Sequence, residues 1–292
     1  MIPPRSILVA TDYGAPSEMA VETAAALATR FRAELHVVHV VEEPAYAFPF
    51  PTVAGLDEAA QKQLDKVLAG LRARMLHASG ILRKGTAWYE IGACATDLSA
   101  DLVVIGSQGR RGLPRFVMGS VAEQLVRTSR VPVMTIHPTD HVAILEGGMD
   151  RFRHVLAPVD FDEPSVAGIE LATSLAVELE SELTLVHAHE WPAYVSSASD
   201  DFRAQARAAA QRALGERLVK VRSRLPRAEA TMEEGVPWRV ILDTAKERGA
   251  DLIVLSTHGR RGLQRALMGS VAEKIVRLAP VPVITQAVAD LA

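Results

Sequence analysis

Residues Gly106–Ser120 read GSQGRRGLPRFVMGS and follow directly on the apolar run DLVVIG. Residues Ser256–Ser270 read STHGRRGLQRALMGS and follow DLIVLS. Between Gly109 and Glu123, twelve of fifteen positions are identical in the second stretch, so one glycine-arginine loop has been written twice behind the same kind of strand. A mere connector has no need of four glycines, since each loses more backbone entropy on folding than any other residue.

Working outward, Arg5–Tyr46 lines up with Arg153–Tyr194 at a constant offset of 148, which sets Asp12 on Asp160 and His39 on His187. From Gly85 onward the offset is 150, pairing Gly85 with Gly235, Trp88 with Trp238 and Asp101 with Asp251. The chain is a duplication, and its 292 residues suit two domains of ordinary size. The expected domains are 1–142 and 150–292, joined through a segment whose Gly147-Gly148 pair suits a linker.

Within each copy, short runs rich in Val and Ile alternate with amphipathic stretches. The first copy reads as strands SILVATD, ELHVVHVV, a weaker GILRKG, DLVVIGS and VPVMTIH. Met19, Ala20, Thr23, Ala24 and Leu27 fall at helical spacing, as do Leu64, Val67, Leu68 and Leu71 within a helix expected over 57–78. Strands that are apolar without clean alternation are buried on both faces. The predicted fold class is therefore α/β, with a doubly wound parallel sheet in each of two tandem domains.

Composition narrows the function. A net charge of −3 argues against a general nucleic-acid binder. A single cysteine, Cys94, excludes an intrachain disulfide and a Cys-based zinc site. The stretch MIPPRSILVATD lacks the apolar core of a signal peptide, and no apolar run approaches the roughly 18–20 residues that span a bilayer, so a cytoplasmic, non-membrane protein is expected.

In an open parallel sheet, ligands sit beyond the carboxyl ends of the strands where strand order reverses. Asp12 ends the first strand and the quoted loop follows the fourth; if those strands are neighbours, both face one crevice. The loop runs into GSVAEQLVRTS, which reads as a helix capped by Ser120 with Glu123 three residues on, a capping box. A cap alone leaves Gly106, Gly109, Gly112 and the arginine pair without a role. Glycine-exposed amides at a helix N-terminus form a polyphosphate cradle, to which Ser120 can add its hydroxyl. Neither G-x-x-x-x-G-K-[ST] nor G-x-G-x-x-G after the first strand occurs, which excludes a P-loop NTPase and an ordinary dinucleotide-binding domain.

The spacing Gly106-x2-Gly109-x9-Gly119-Ser120 resembles the signature of ATP-binding universal stress proteins. The flanking HV, DLVVIG, GSVAE and VPV agree with that family nearly throughout the chain, twice, so the chain resembles a tandem universal stress protein. The resemblance implies the adenine nucleotide alpha hydrolase-like fold, five strands per domain in order 3-2-1-4-5, and fifth strands paired across a two-fold axis as an intrachain pseudo-dimer, with a homodimer left open.

It further implies a nucleotide site in which Asp12 meets the nucleoside and Val40 offers backbone groups to adenine. The amides around Gly106, Gly109 and Gly119, with Ser120, would hold ribose and phosphates, and Arg110 is a candidate phosphate cover. The matching positions in the second copy are Asp160, Ala188, Ser256, Gly259, Arg260, Gly269 and Ser270. Ser256 departs from the motif's glycine. If that position needs positive φ, a Cβ costs about 1 kcal/mol; if it need only be small, serine fits. Two sites are expected, the first the stronger. The implied cofactor is ATP, or AMP or another adenine nucleotide, with Mg²⁺ held through the phosphates.

His39 and His187 read as core histidines, Trp88 and Trp238 as core, and Cys94 as a buried inert thiol. Residues 42–58, rich in proline and aromatics, read equally as a lid or a plain surface loop. The loop supplies no water-activating base or metal carboxylate, so a sensor or regulator with at most slow ATP hydrolysis is expected. The alternatives are an adenine-nucleotide-using enzyme on the same fold and an interaction module that binds no nucleotide.

Overall fold

Aliphatic runs flanked by turn residues form the strands, as the computed structural model shows for residues 3–42, 56–107, 118–137, 152–191, 200–257 and 268–287. The chain divides into two compact units, Met1–Met149 and Asp150–Ala292. The first contains β1 (Ser6–Ala10), α1 (Ala15–Phe31), β2 (Glu34–Val41), α2 (Leu56–Ala73), β3 (Ala78–Lys84), α3 (Ala87–Asp97), β4 (Leu102–Gly106), α4 (Ser120–Thr128) and β5 (Val133–Ile136). The second repeats them as β6 (His154–Pro158), α5 (Glu163–Leu179), β7 (Glu182–His189), α6 (Asp200–Arg222), β8 (Glu229–Glu234), α7 (Pro237–Glu247), β9 (Leu252–Ser256), α8 (Ser270–Leu278) and β10 (Val283–Gln286).

Strand order is β3-β2-β1-β4-β5 in the first unit and β8-β7-β6-β9-β10 in the second, with every ladder parallel. Parallel neighbours need crossovers, and right-handed crossovers put α1 and α2 on one face and α3 and α4 on the other. The central strands are therefore covered on both sides. Ile7, Leu8, Val9, Val103 and Val104 are buried, as are their counterparts Val155, Leu156, Ile253 and Val254. Each such aliphatic side chain contributes about 1.5–3 kcal/mol. Leu64, Leu68 and Leu71 anchor α2, and Met19, Ala20, Thr23, Ala24 and Leu27 bury the inner stripe of α1.

Three details differ from the sequence reading. The second helix stops at Ala73, five residues short, because Met75 takes a φ of 63° and Ala78 already pairs with Leu35. The weak third strand thereby gains length and spans Ala78–Lys84. Trp88 and Trp238 are half-buried, not core; Trp238 lies under the guanidinium of Arg239 and the ammonium of Lys274, each 5.1 Å from the ring.

One carboxylate in each unit ties the start of the first strand to the loop before the fourth. Asp101 Oδ2 accepts from the backbone N–H of Arg5 (2.8 Å) and Ser6 (3.2 Å). Asp251 accepts likewise from Arg153 (2.7 Å) and His154 (3.1 Å). Burial pushes the Asp251 carboxyl up while those two N–H groups pull it back. Cys94 is fully buried and its thiol is pushed up by that burial.

Candidate functional site

After Ala10 the β1 ladder makes one last bond, from Thr11 N–H to the Val38 carbonyl (2.9 Å). Tyr13 then turns the chain with a φ of 62° into the N-cap of α1. Asp12 is fixed in that turn. Its Oδ1 accepts from Gly14 N–H (3.0 Å), and its own N–H donates to Ser17 Oγ (3.2 Å). Ser17 Oγ donates to the Gly14 carbonyl (2.9 Å), and Tyr13 N–H donates to Thr11 Oγ1 (3.0 Å), so the turn is held from both sides.

β2 continues past the end of β1. Ladder bonds alternate sides along a strand, so Val40 presents its amide and carbonyl on the edge where Val38 bonds β1. Gly85 N–H bonds the Val41 carbonyl on the opposite edge (3.1 Å). Val40 thus turns its main-chain groups over the end of β1, beside Asp12. His39 Nδ1–H donates to the Thr11 carbonyl (2.7 Å), and the Tyr13 ring lies 4.4 Å from the imidazole. The His39 ring is bonded but only half-buried, so the core reading holds for the buried His187, whose Nδ1–H donates to the Val159 carbonyl (2.7 Å).

β1 and β4 are neighbours, and their register of Ile7 on Leu102 continues to set Asp12 level with Ser107. Strand order reverses between these two strands, the place where an open parallel sheet leaves room for a ligand, with Asp12 on one wall of it. On the other wall, Ser107 N–H bonds the Ile136 carbonyl (2.8 Å), and its carbonyl accepts from Gly119 N–H (2.7 Å). The start of the loop and its end are therefore clasped together. Gly109, Arg110, Gly259 and Arg260 lie outside the described residues, as do Arg111, Arg261, Gly112, the 137–152 linker apart from its ends, and most of the 42–58 loop.

The capping box expected at Ser120 is not formed. Gly119 is the N-cap, extended at φ −65° and ψ 144°, and Ser120 is the first helical residue. The clasp to Ser107 fixes Gly119 in that conformation and moves the helix start one place along. Glu123 Oε1 instead accepts from Arg127 Nη2 (2.9 Å), one turn on. The N-caps Gly119 and Gly269 bring no side chain to α4 or α8, and no capping side chain is found among the described residues, where the first-turn amides stand next to the exposed Ser120 and Ser270. Such a terminus carries partial positive charge and suits an anion.

The role of Gly106 is also settled. Its φ is not left-handed; a Cβ there would stand 2.8 Å from the Pro16 carbonyl carbon and oxygen. The position leaves no room for a Cβ, because the first turn of α1 presses on the end of β4. Ser256 stands at this place in the second unit, and the close approach shifts one turn along the helix to Gly168. A Cβ on Gly168 would lie 2.9 Å from Ser256 N. The glycine has changed sides of the same helix-strand contact.

The second unit repeats the turn, with Phe161 at a φ of 67° and its ring 4.2 Å from that of His187. It differs at two points. Asp162 replaces Gly14, and its Oδ1 accepts from Ser165 N–H (3.0 Å) as the N-cap of α5. Burial first, and then Asp162 beside it, pushes the Asp160 carboxyl up to about 7. Further along, His189 packs edge-on against Trp191 (4.4 Å), and Arg203 reaches over that indole (5.9 Å). Sequence reasoning passed over Tyr13, Phe161, Ser17, Ser165 and Asp162. The aligned segments TDYGAPS and VDFDEPS carried the signal, since Asp162 followed three residues later by Ser165 is an N-cap pattern.

The universal stress protein family model matches residues 4–137 and again 151–285. This chain belongs to the universal stress protein family. Both repeats of the family domain are present, covering nearly the whole chain. A universal stress protein of Mycolicibacterium smegmatis is 29% identical over 297 residues, covering 95% of each chain. One from Mycobacterium bovis is 35% identical over 191 residues; that match takes in 63% of this chain and 61% of the relative. The crystal structure of a universal stress protein from Archaeoglobus fulgidus superposes with a TM-score of 0.74 at 21% identity, covering 98% of this chain and 99% of that one. At that identity it shows the fold alone. The α/β family fold in two parallel-sheet domains is thus established, and no helix among the described residues is long and apolar enough to cross a membrane.

Proposed function

We propose that each unit of this universal stress protein binds an adenine nucleotide, ATP first, and that the protein works as a stress-response regulator with at most slow hydrolysis. The observation that carries the reading is the reversal of strand order between β1 and β4. It sets an oriented carboxylate on one side and, on the other, a helix N-terminus with no capping side chain among the described residues. Asp12 and the main-chain groups of Val40 would receive the nucleoside. The Ser120 amide and hydroxyl and the Gly106–Gly109–Arg110 arm would take ribose and phosphates, with Gly119, whose own amide is bonded to Ser107, holding the turn in place. Asp160, Ala188, Ser256, Gly259, Arg260, Gly269 and Ser270 would do the same in the second unit, where Ser256 fits because the helix comes close to it at Gly168, which has no side chain.

Mg²⁺ would enter with the phosphates, whose charge it neutralises. No group of three or more His, Cys, Asp or Glu among the described residues could hold it unaided. The test is acid release of nucleotide from the purified full chain, followed by turnover with excess ATP and Mg²⁺. Adenine nucleotide recovered in near-stoichiometric amount, with turnover far below one per second, supports the reading. Rapid multiple turnover, or no binding of added nucleotide, overturns it. A cytoplasmic setting belongs to the same proposal.

A further inference from the structure

A cavity of about 760 Å³ lies between α1 and α2 of the first unit. Small-molecule sites typically enclose about 300–1,000 Å³. Part of its lining is apolar, with Met19 and Leu71 buried and Val67 half-buried. Two bonds join the helices around it. Tyr13 Oη donates to the Ala60 carbonyl (2.9 Å) near their starts, and Arg74 Nη1 donates to Glu22 Oε2 (2.7 Å) further along.

Gly70 forms part of the α2 wall. Glycine inside a helix weakens it, and packing does not demand one here, since nothing lies within 4 Å of where its Cβ would stand. The missing side chain widens the cavity. The second unit is written differently. The Arg74–Glu22 pair recurs as Arg224–Glu170 (3.2 Å), which fixes the correspondence of α2 with α6 and of α1 with α5. Lys220 then stands at the place of Gly70, Arg217 at that of Val67 and Ala167 at that of Met19. Long cationic side chains take the place of the glycine and of one apolar lining residue.

The charges that line the cavity cancel, Glu18 and Glu22 on α1 against Lys66 and Arg74 on α2. Net charge therefore draws in neither an anion nor a cation, and apolar walls favour a molecule with few polar groups to desolvate. Met19 adds an unbranched, adaptable side chain that moulds to such a molecule. We propose that the cavity between α1 and α2 is a binding site for a neutral, largely apolar small molecule, and that Arg217 and Lys220 withhold that site from the second unit. The site is separate from the nucleotide reading and does not rest on it. Thr11 and Tyr13 line the cavity and flank Asp12 in the chain, so the two sites are neighbours.

The test titrates Nile red, a neutral dye that brightens in apolar surroundings, into the full chain. One saturable site should appear, and Val67→Arg/Gly70→Lys, which installs the second unit's side chains, should weaken it about ten-fold or more. Both changes put better helix formers into α2, so the melting temperature should hold. Glu18→Gln and Lys66→Gln should each change the affinity less than about three-fold. In the wild-type chain the Met19 ε-methyl NMR signal should shift on adding the dye, a readout that needs no variant. No saturable binding, binding that survives the double variant, an unmoved Met19 signal, or dye lost to saturating ATP each overturns the proposal. Tighter binding of the anionic dye anilinonaphthalene sulfonate that Lys66→Gln abolishes also overturns it, since the occupant would then be an anion.

Discussion

Replacing Gly106 with alanine puts a methyl carbon 2.8 Å from both the carbonyl carbon and the oxygen of Pro16. Ordinary contacts at such a carbon begin near 3.4 Å, so α1 or β4 must yield by about 0.6 Å, and overpacking of this kind costs about 1–3 kcal/mol. The contact is to backbone at the first turn of a helix whose inner face is buried, so no side chain can swing away to relieve it. For a unit of this size, about 2 kcal/mol lowers the midpoint by about 4–8 °C. Differential scanning calorimetry of the full chain is the assay. Because Asp12 sits just ahead of the displaced turn, ATP affinity of the first site should fall as well. Gly168→Ala in the second unit should cost about as much, since its methyl would lie 2.9 Å from Ser256 N. Gly106→Ala with unchanged or raised stability would show that the helix-strand contact is looser than described and would remove the steric account of the glycine exchange.

Asp12→Ala removes a charged acceptor from the crevice and should weaken first-site ATP binding about ten- to hundred-fold, read by calorimetric titration. Asp101→Ala strips the acceptor from Arg5 and Ser6 N–H and should destabilise the first unit by about 1.5–3 kcal/mol in urea unfolding. Stability of the second unit should fall as pH rises. Asp160 keeps its proton to about 7 in the folded chain, whereas an unfolded aspartate releases it near pH 4. The native state therefore binds more protons across about pH 4–7, stability declines through that window and levels off above it, and Asp162→Asn should flatten the slope in pH-dependent melts.

The fold was legible because buried parallel strands are written as apolar runs and because the repeat let each copy check the other. The place of the candidate site followed from topology alone: the strand that leads to Asp12 and the strand ending in Gly106 lie side by side where the order reverses. Local geometry was less legible. Ser120 with Glu123 fits a capping box by spacing, yet the clasp between Gly119 and Ser107 is a contact across the loop, and no local pattern reports it. The exchange of Gly106 with Gly168 was hidden for the same reason, since it depends on which turn of a helix touches a strand end. Tyr13 and Phe161 adopt left-handed backbone that aromatic residues seldom take, held by the bonds of the turn. Asp162 was visible only as a difference between the copies; the upward push on the Asp160 carboxyl comes first from burial, which sequence does not state, and then from Asp162 beside it.

Isothermal titration of nucleotide-stripped full chain with ATP, beside the Asp12→Ala/Asp160→Ala double variant, addresses the central claim most directly. Saturable heat near neutral pH that the double variant loses is the outcome this account predicts. No heat with any adenine nucleotide, or undiminished binding when both carboxylates are gone, would contradict it.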